Sequence, residues 1–580
     1  MKSLDTSRAR RAAVAAIALL LAFSCVLGAQ PAQVLSAVPG QRSAVPFPAG
    51  DKEGVRLTLD QAIGLALSNN QDLNVTINAA EASQYQLLSA DGIFDPLLQG
   101  YANRNHQETP SSSALSGAPL SVNQDTYNYG GSVTQLAPWG GTFSLGTSGG
   151  RLATNSSFYD VNPSFNAGLL LTMSQPLLRN FGMTATKWQI YIAKNQRDTA
   201  YQQFVRNVQT GIDSVEQAYW DLAYAYENLK VKLESKAIAV ELNRITKIKI
   251  DVGSLAPIDI VQTEVNIATA DQDIINAEGA IGLAQDQLKR LITVDPAKWV
   301  TDPIIPVDPV RVNQERFQLE EGMSTALARR PEILEAAYTV DSQKVRLDYW
   351  TNQVLPSLNL VGNYGTNGQG GTFFFDQCNS LTPPPACSNV PPPQPIVIAN
   401  NGLGSAYNQV LNRTFQNWSI GLTVSYPIFN RYAIGQRGAA RYTLDSNKAA
   451  LTTTEQNVVV EVRNAHRAID TAEKQIVAAA KGRELAERNL DAARKKYENG
   501  MTTGFEVSQL QTSLSDARSR ELNALVIYRK AVSAYHDAIA DNLEWKAIKI
   551  EGLPEMTPPT FETRNDLIKA AVQPAPSAAP

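Results

Sequence analysis

The sequence has few residues of the kinds that build catalytic or metal sites. Among its 580 residues there are three histidines, three cysteines and six methionines. His106, His466 and His536 are far apart in the sequence, and neither an HExxH nor a CxxC motif occurs. The glycine-rich stretches also lack the Lys-Ser/Thr pair of a phosphate-binding loop. We therefore expect a protein that is not an enzyme and that needs no metal or cofactor.

The chain also lacks an excess of one charge and, after its first residues, a long apolar run. Its net charge at pH 7 is −4, which gives no indication of nucleic-acid binding. No later segment is apolar over the roughly 20 residues that a membrane-spanning helix requires. If this part of the chain lies in a membrane, it must form a closed β-barrel, because lipid tolerates no unpaired backbone groups. A soluble exported protein is the alternative.

Residues 1–29 have the order of a secretory signal peptide. Four basic residues precede an uncharged apolar run from Ala12 to Gly28, which ends in small residues. We predict cleavage after Ala29; a retained membrane anchor is the weaker alternative. The leader carries four basic residues and Asp5, so its removal changes the net charge from −4 to −7.

The three cysteines fall in two different contexts. Cys25 lies in the leader, two residues after the bulky Phe23; this is a poor lipoprotein cleavage site, and lipidation is not expected. Cys378 and Cys387 lie nine residues apart in an irregular, proline-rich loop. In an exported protein such an isolated pair favours a disulfide between Cys378 and Cys387. A two-cysteine metal site is the weaker alternative, because no histidine is near.

Two parts of the chain repeat one another. The segment from Leu57 matches the segment from Phe317 at an offset of 260, and a later segment matches at an offset of 247. The matched pairs include Leu59/Leu319, Ala66/Ala326, Leu98/Leu358, Gly253/Gly500, Gln262/Gln509 and Asn276/Asn523. The chain is therefore a tandem duplication. We predict a linker at 30–56, repeats at 57–292 and 317–541, a connector at 293–316 and a partly disordered tail at 542–580.

Each copy is predicted to contain a helix, strands, a very long helix and a shorter helix. The first helix is expected at Leu57 to Gly92 and at Phe317 to Trp350, ended by the prolines that follow. Strands are predicted at about 96–178 and 356–429, where apolar and polar residues alternate with interspersed aromatics, a pattern typical of barrel strands with one face in lipid. The first copy also has an extra hairpin, YNYGGSVTQLAPWGGTFSLGTSGG, either in the barrel or in a loop.

The long helices carry heptad patterns that predict coiled-coil packing. The first copy has one series at Val208, Val215, Leu222 and Leu229, and another at Ile212, Tyr219, Tyr226, Leu233 and Val240. The second copy has an alanine series at Ala465, Ala472, Ala479, Ala486 and Ala493. No proline interrupts Lys187 to Asp251, a helix of about 100 Å. The first helix and the last helix of a copy, stacked end to end, would match its long helix.

The sequence resembles the outer membrane efflux protein family typified by TolC, from about Leu57 to Ala540. The resemblance rests on LTLDQAIGLALSNN and its second copy, the junctions SQPLLRN and SYPIFNR, and the turns DVGSLAPIDIVQ and ENGMTTGFEVSQLQ. It implies a mainly α-helical fold with a membrane β-barrel. In this family a homotrimer shares one barrel and one long, coiled-coil periplasmic tunnel.

The resemblance also implies a function and partners. The expected function is a passive exit duct in the cell outer membrane, with its helical part in the periplasm, serving a tripartite efflux pump or a type I secretion system. The expected partners are outer membrane lipid, a periplasmic adaptor, and an inner-membrane pump or secretion ATPase. A stand-alone diffusion porin would not need helices of about 100 Å, and a periplasmic coiled-coil scaffold would not need the alternating strands.

Two groups of candidate site residues follow from the repeats and the resemblance. The glycines Gly253 and Gly500 are expected to end the long helices. The resemblance implies that the surrounding turns dock to the adaptor; they are Val252, Gly253, Ser254 and Leu255, and Asn499, Gly500, Met501 and Thr502. It also implies a periplasmic constriction near Asp259, Gln262, Glu506 and Gln509. The alternative is that Asp259 and Glu506 only stabilise helix N-termini, since Thr503 and Glu506 have capping-box spacing.

Overall fold

The structure is a computed structural model that describes residues 54–111, 120–156, 159–293, 302–312, 316–375, 396–550, 554–556 and 559. These residues belong to one compact unit of the chain, residues 49–580. The predicted leader, with Cys25, and the predicted disulfide pair Cys378 and Cys387 lie outside the described residues. So do most of the predicted linker and tail and part of the predicted connector.

The helices occur in the same order in the two halves of the chain, and the tandem repeat is confirmed. The first half contains α1 (Leu59–Asn69), α2 (Gln71–Asp91), α3 (Met183–Asp251) and α4 (Asp259–Ile292). The second half contains α5 (Leu319–Arg329), α6 (Pro331–Gln353), a short α7 (Leu403–Leu411), α8 (Arg431–Glu498), α9 (Gly504–Ala538) and a short α10 (Asn542–Trp545). The long helices α3 and α8 have 69 and 68 residues, so each is about 100 Å long.

Each copy begins with two helices, so the prediction of one uninterrupted helix from Leu57 to Gly92, and from Phe317 to Trp350, was wrong. At the first break Asn70 has an extended backbone, and its side chain accepts a hydrogen bond from the backbone N–H of Asp72 at 2.8 Å. Asn70 therefore caps α2. At the second break Arg330 precedes a proline, which disfavours the helical conformation for the residue before it.

The predicted heptad packing is confirmed in the first half of α3 and along α8. The buried positions in α3 are Val208, Ile212, Val215, Tyr219 and Leu222, and Tyr226 and Leu229 are half-buried. All five members of the alanine series in α8 are buried or half-buried. Small residues at these positions allow the neighbouring helices to approach closely.

Nearer the end of α3 the predicted series is wrong. Leu233 and Val240 are 49% and 47% exposed, whereas Leu242 is buried. Leu242 packs in a cluster with Leu490 of α8 and Val507 of α9. One heptad series presumes one set of partners along the whole helix. The neighbours of α3 differ between its two halves, and the buried face changes with them.

The shorter helices follow one another along the long ones, as their lengths predicted. The end of α4 meets the break between α1 and α2, where the Asn69 side-chain amide donates to the Ile292 carbonyl at 3.1 Å. In the second copy Arg330 donates to the Asp537 carbonyl of α9 at 3.1 Å. The helices α2 and α4 pack along α3, and α6 and α9 pack along both α3 and α8. Each copy therefore contributes two parallel columns of helix.

The strands form a large antiparallel sheet and a small parallel pair. They are β1 (Val55–Leu57), β2 (Leu97–Pro110), β3 (Ser121–Leu136), β4 (Thr142–Thr154), β5 (Val161–Pro176), β6 (Ile304–Pro306), β7 (Ser357–Phe375), β8 (Ile396–Asn401) and β9 (Phe415–Ser425). The large sheet has the order β2-β3-β4-β5-β7, and β9 and β8 pair with different parts of β7. The extra hairpin of the first copy is part of this sheet as β3 and β4.

The small pair, β1 with β6, is held against the middle of α3 by Tyr219. This side chain is fully buried, and its hydroxyl lies 3.0 Å from the Leu57 carbonyl and 2.8 Å from the Asp308 carboxylate. Tyr219 also accepts hydrogen bonds from the backbone N–H groups of Val307 and Asp308, at 3.2 Å each. The start of the first repeat and the connector are thereby joined to the helical columns.

Candidate functional site

One face of the large sheet carries an apolar band. Directly opposed residues of an antiparallel pair lie on the same face, and successive residues alternate between faces, so the register assigns each side chain. The band consists of Leu98 (β2), Val133 (β3), Phe143 and Leu145 (β4), Leu169, Leu171 and Met173 (β5), Leu358, Leu360 and Tyr364 (β7), and Trp418, Ile420, Leu422 and Val424 (β9). Trp418 and Ile420 are each 73% exposed, so the rest of the chain does not cover the band there.

The opposite face of the same strands is mostly polar. It carries Gln99 (β2), Ser132 and Thr134 (β3), Ser144 and Ser148 (β4), Thr172 and Ser174 (β5), Asn359 and Asn363 (β7), and Ser419 and Thr423 (β9). Several of these residues hydrogen bond across strands, such as Thr134 with Ser144 at 3.1 Å and Asn363 with Ser419 at 3.2 Å. A sheet with these two faces is suited to lipid on one side and water on the other.

The band ends, away from the helices, at charged residues on the same face. Arg104 lies 3.4 Å from the Asp125 carboxylate, and the guanidinium groups of Arg104 and Arg151 lie 5.1 and 5.8 Å from the Tyr127 ring centroid. From Phe143 to Arg151 a strand advances about 27 Å, or about 20 Å along the membrane normal at a tilt of about 40°. This is close to the roughly 25 Å height of the apolar band of membrane barrels.

At the other end of the molecule, the two long helices end in the same type of turn. Gly253 and Gly500 have φ angles of +79° and +71°, a conformation that favours glycine. The backbone N–H of Gly253 donates to Ile250 O and that of Ser254 to Lys249 O, at 2.9 and 2.8 Å. Around Gly500 the same two bonds form at 3.1 and 2.8 Å. Both turns are Schellman motifs, so the expectation that these glycines end the helices is confirmed.

The tips are here defined as residues 252–255 and 499–502. Just before the tips, the ends of α3 and α8 are joined by contacts that the sequence analysis missed. The hydroxyl groups of Thr246 and Tyr497 hydrogen bond at 2.8 Å, and both residues are buried. The Lys249 ammonium donates to the Tyr497 carbonyl and lies 4.1 Å from the Tyr497 ring centroid. These residues are about 250 positions apart and no motif relates them, so only the structure shows that they connect α3 to α8.

The tips expose apolar side chains. Val252 is 69% exposed, Met501 is 74% exposed, and Ile258 and Phe505, just beyond the tips, are 72% and 61% exposed. A groove between the two tips is lined by residues of both, among them Leu255 and Met501. Clustered apolar exposure of this kind is typical of surfaces that contact a protein partner, a membrane or a ligand.

The four candidate constriction residues lie at the starts of the helices that follow the tips. Asp259 and Gln262 are one turn apart on α4, and Glu506 and Gln509 are one turn apart on α9; all four are exposed. The Glu506 backbone N–H donates to the Thr503 hydroxyl at 3.4 Å, and its carboxylate accepts from the Thr502 hydroxyl. Glu506 therefore takes part in the N-terminal cap of α9, and its carboxylate lies at the surface.

A second group that sequence reasoning missed is a partly buried charged cluster where the break between α5 and α6 meets the end of α9. The guanidinium group of Arg330 lies 2.5 Å from Glu461 and 3.2 Å from Glu332. Burial, and to a smaller extent the nearby Asp213 carboxylate, raises the pKa of Asp537 to about 7. The doublet of arginines before a proline, at 329–331, was the available signal for this break.

Two of the three histidines, His466 and His536, take part in packing between helices, whereas His106 lies on β2 with its side chain 55% exposed, 3.0 Å from the Asp125 carboxylate. The His536 ring stacks on Trp545 with centroids 4.0 Å apart and lies 2.8 Å from the Asp541 carboxylate, and a ring nitrogen of His466 lies 3.3 Å from the Phe317 carbonyl. Within the described ranges, no group of three or more His, Cys, Asp or Glu side chains is arranged to hold a metal ion. None of the helices in the part of the chain that the structure describes combines the length and hydropathy of a membrane-spanning helix.

Comparison with known proteins gives a family match in two blocks. A model described as "Outer membrane efflux protein" matches residues 62–293 and 322–534. No curated protein sequence matches the chain significantly. The fold is similar to that of the outer-membrane channel OprN, at 16% identity and a TM-score of 0.59, covering 83% of this chain and 89% of that one.

Two further solved structures share the fold. The CmeC outer membrane channel of Campylobacter jejuni has 17% identity and a TM-score of 0.57, covering 85% of this chain and 90% of that one. The outer membrane protein VceC of Vibrio cholerae has 14% identity and a TM-score of 0.58, and the match covers 83% of this chain and 95% of that one. The two blocks of the family match fall on the two structural repeats and together span more than half of the sequence. The chain belongs to the outer membrane efflux protein family.

Proposed function

We propose that the protein is the outer-membrane exit duct of a tripartite efflux pump or a type I secretion system. It is a passive conduit, with its sheet in the outer membrane and its helices in the periplasm. The observation that carries this proposal is the apolar band, which lies on one face of a sheet joined directly to helices of about 100 Å in an efflux-family chain. A stand-alone porin would account for the band alone, and a periplasmic scaffold for the helices alone.

The working unit of this proposal is a homotrimer with one shared barrel. In the described part of the chain the sheet is open, with an unpaired strand edge on each side of the band. Lipid tolerates a sheet only as a closed barrel, because the backbone groups of an open edge would have no hydrogen-bond partners there. Copies of the chain must therefore supply the missing neighbours. The family resemblance implies that three subunits form this assembly. The helical columns of the three subunits would then form the wall of the tunnel.

The tips are the proposed docking site for the periplasmic adaptor, which links the duct to an inner-membrane pump or secretion ATPase. They lie at the ends of α3 and α8 that point away from the sheet, about 100 Å from it. Val252 and Met501 project there with more than two thirds of their surface exposed. An apolar surface at the end of a long column suits a partner that approaches end-on.

The start of the tunnel is the proposed constriction. Asp259 and Glu506 are exposed at the beginnings of α4 and α9, so three subunits would bring up to six carboxylates to the same level. A ring of carboxylates attracts cations and repels anions. Gln262 and Gln509 lie one turn further into each helix and would extend this polar lining.

The test of the membrane assignment uses two neighbouring residues of β5 that lie on opposite faces. Leu171→Arg places a charge in the band, which costs about 2 to 4 kcal/mol near the middle of a bilayer. Thr172→Arg is the matched control, since Thr172 lies on the polar face. We expect membrane fractionation to find the wild-type protein and the Thr172 variant as trimers in the outer membrane, and little of the Leu171 variant. Recovery of the wild-type chain as a soluble periplasmic monomer would contradict the proposal.

A further inference from the structure

Six strands of the described residues cross the apolar band. Four of them, β2 to β5, come from the first copy, and β7 and β9 come from the second. The hairpin of β3 and β4 is continuous with its neighbours: β3 pairs with β2 from Ser121 to Thr134, and β4 pairs with β5 from Thr142 to Leu152. The hairpin is therefore built into the middle of the sheet.

The hairpin also has the two faces that a membrane wall needs. Val133 and Leu145 oppose each other on the band face, and Leu145 opposes Leu171 of β5. On the other face Thr134 opposes Ser144, and Ser144 opposes Thr172. A hairpin standing in water above the membrane would have no reason to continue the apolar and polar alternation of its neighbours in register.

The outer edges of the sheet are complementary. Among the described residues β2 pairs only with β3, and in the band region β9 pairs only with β7. Every residue of β2 and of β9 is exposed. Because the sheet has six antiparallel strands from β2 to β9, an even number, these two edge strands run in opposite directions. A second copy can therefore continue the sheet as an antiparallel ladder, with its band on the same face.

We propose that each subunit inserts six strands, so that three copies close an 18-stranded barrel in which β9 of each subunit pairs with β2 of the next. This inference rests on the trimeric duct proposed above and assigns its membrane part. Long bare edges of this kind are aggregation sites unless another strand covers them. Pairing with identical copies covers both edges at once.

The size of such a barrel agrees with the helical tunnel. With strands about 4.8 Å apart and tilted by about 40°, 18 strands form a wall of about 113 Å in circumference. Twelve columns of helix, four per subunit, spaced by about 9 to 10 Å, form a wall of about 110 to 120 Å. Barrels of 16 to 18 strands leave an aqueous channel. The outer opening would then be wide, and the narrow point of the duct would lie at the tips.

The experiment places single cysteines in the full-length chain in a Cys378→Ser and Cys387→Ser background. In β4, Leu145→Cys lies on the band face and Ser144→Cys on the polar face; Leu171→Cys and Thr172→Cys are the matched pair in β5. Val133→Cys and Ser132→Cys in β3 provide a second hairpin pair if a β4 variant does not assemble. The readouts are the rate of labelling by a water-soluble maleimide and the quenching of an attached fluorophore by nitroxide lipids in proteoliposomes.

We expect both strands to alternate, with polar-face cysteines labelled at least several-fold faster and band-face fluorophores quenched by lipid. Alternation in β5 but equal labelling of both faces in the hairpin would overturn the six-strand assignment and leave the duct intact. Absence of alternation in β5 as well would contradict the duct itself. Closure is tested separately: cysteine pairs on β2 and β9 should yield covalent trimers, and failure of every same-face pair to cross-link would overturn the proposed seam.

Discussion

Asp537 lies where acidic side chains of several helices face one another at the end of α9. Asp213 of α3, Glu332 of α6 and Glu461 of α8 surround it, and Arg330 is the cation among them. Loss of water is the main reason that the pKa of Asp537 rises to about 7 from an ordinary value of 3.8. The folded protein therefore holds a proton on Asp537 that the unfolded chain releases near pH 4.

The sign of the resulting pH dependence follows from proton binding. Between about pH 4 and pH 7 the folded state binds more protons than the unfolded state, so the free energy of unfolding falls as the pH rises through this window. Asn is uncharged and of the same shape. We expect Asp537→Asn to stabilise the protein by about 1 to 4 kcal/mol at pH 8 and to change little at pH 4.

The measurement is thermal unfolding of the detergent-solubilised protein, followed by circular dichroism at pH 4 and pH 8. Asp470→Asn is the control, because Asp470 is exposed and pairs with Lys474 on the same helix at 2.6 Å. The midpoint of the Asp537 variant should depend less on pH than that of wild type. Equal pH dependence of the two proteins would show that Asp537 is charged at low pH in the folded state.

Single residues could be predicted from the sequence where one local rule decides their conformation. Gly253 and Gly500 were predicted to end helices because a left-handed residue is needed there. Thr246, Lys249 and Tyr497 were missed, because their roles depend on two helix ends meeting in space. The same holds for Asp537, whose surroundings come from four separate helices.

At the scale of elements, the two tip turns offer a test that separates shape from stability. A Cβ added at Gly253 or Gly500 would have nothing within 4 Å, so a substitution is strained only by the positive φ angle. Replacing both glycines with Val should cost about 1 to 3 kcal/mol per site and deform the turns. We expect outer-membrane trimers to persist, and adaptor co-purification and export to fall at least several-fold.

Replacing both glycines with Asn is the matched control, since Asn tolerates the left-handed conformation better than other side chains. The Asn pair should keep both adaptor binding and export. Normal export by the Val pair would show that these glycines only end helices. Loss of export in both pairs would mean that the side chains themselves, rather than the turn shape, block docking.

Helices could be predicted where the periodic pattern of apolar residues is long and uninterrupted. The long helices follow from the absence of proline and from a sustained heptad pattern. The break at Asn70 was missed because asparagine is a weak helix breaker that acts here through a single capping bond. The exposure of Leu233 and Val240 was missed because a heptad repeat shows which residues share one face of a helix. It does not show which neighbouring helix covers that face.

At the scale of the whole molecule, the duplication allowed the helical columns to be predicted but not the sheet. The repeat offset falls from 260 to 247 because the second copy is shorter between its first and long helices. That difference did not show whether the hairpin of β3 and β4 joins the sheet. Its placement depends on cross-strand pairing between distant residues, which alternation within one strand does not encode.

The ion selectivity of the assembled duct tests the proposed constriction. The carboxylates of Asp259 and Glu506 are exposed at equivalent helix starts, so their summed field exists only when subunits surround one axis. Replacing them with Asn and Gln, respectively, should lower the cation-to-anion permeability ratio several-fold in planar bilayers at 0.1 M salt. The difference should shrink at 1 M salt, where the screening length falls from about 10 Å to about 3 Å.

Thr503→Ala, which removes the α9 cap and keeps both charges, should leave selectivity unchanged. An equal loss in this control would assign the effect to helix geometry, and unchanged selectivity in both variants would leave Asp259 and Glu506 with only a structural role at the helix starts.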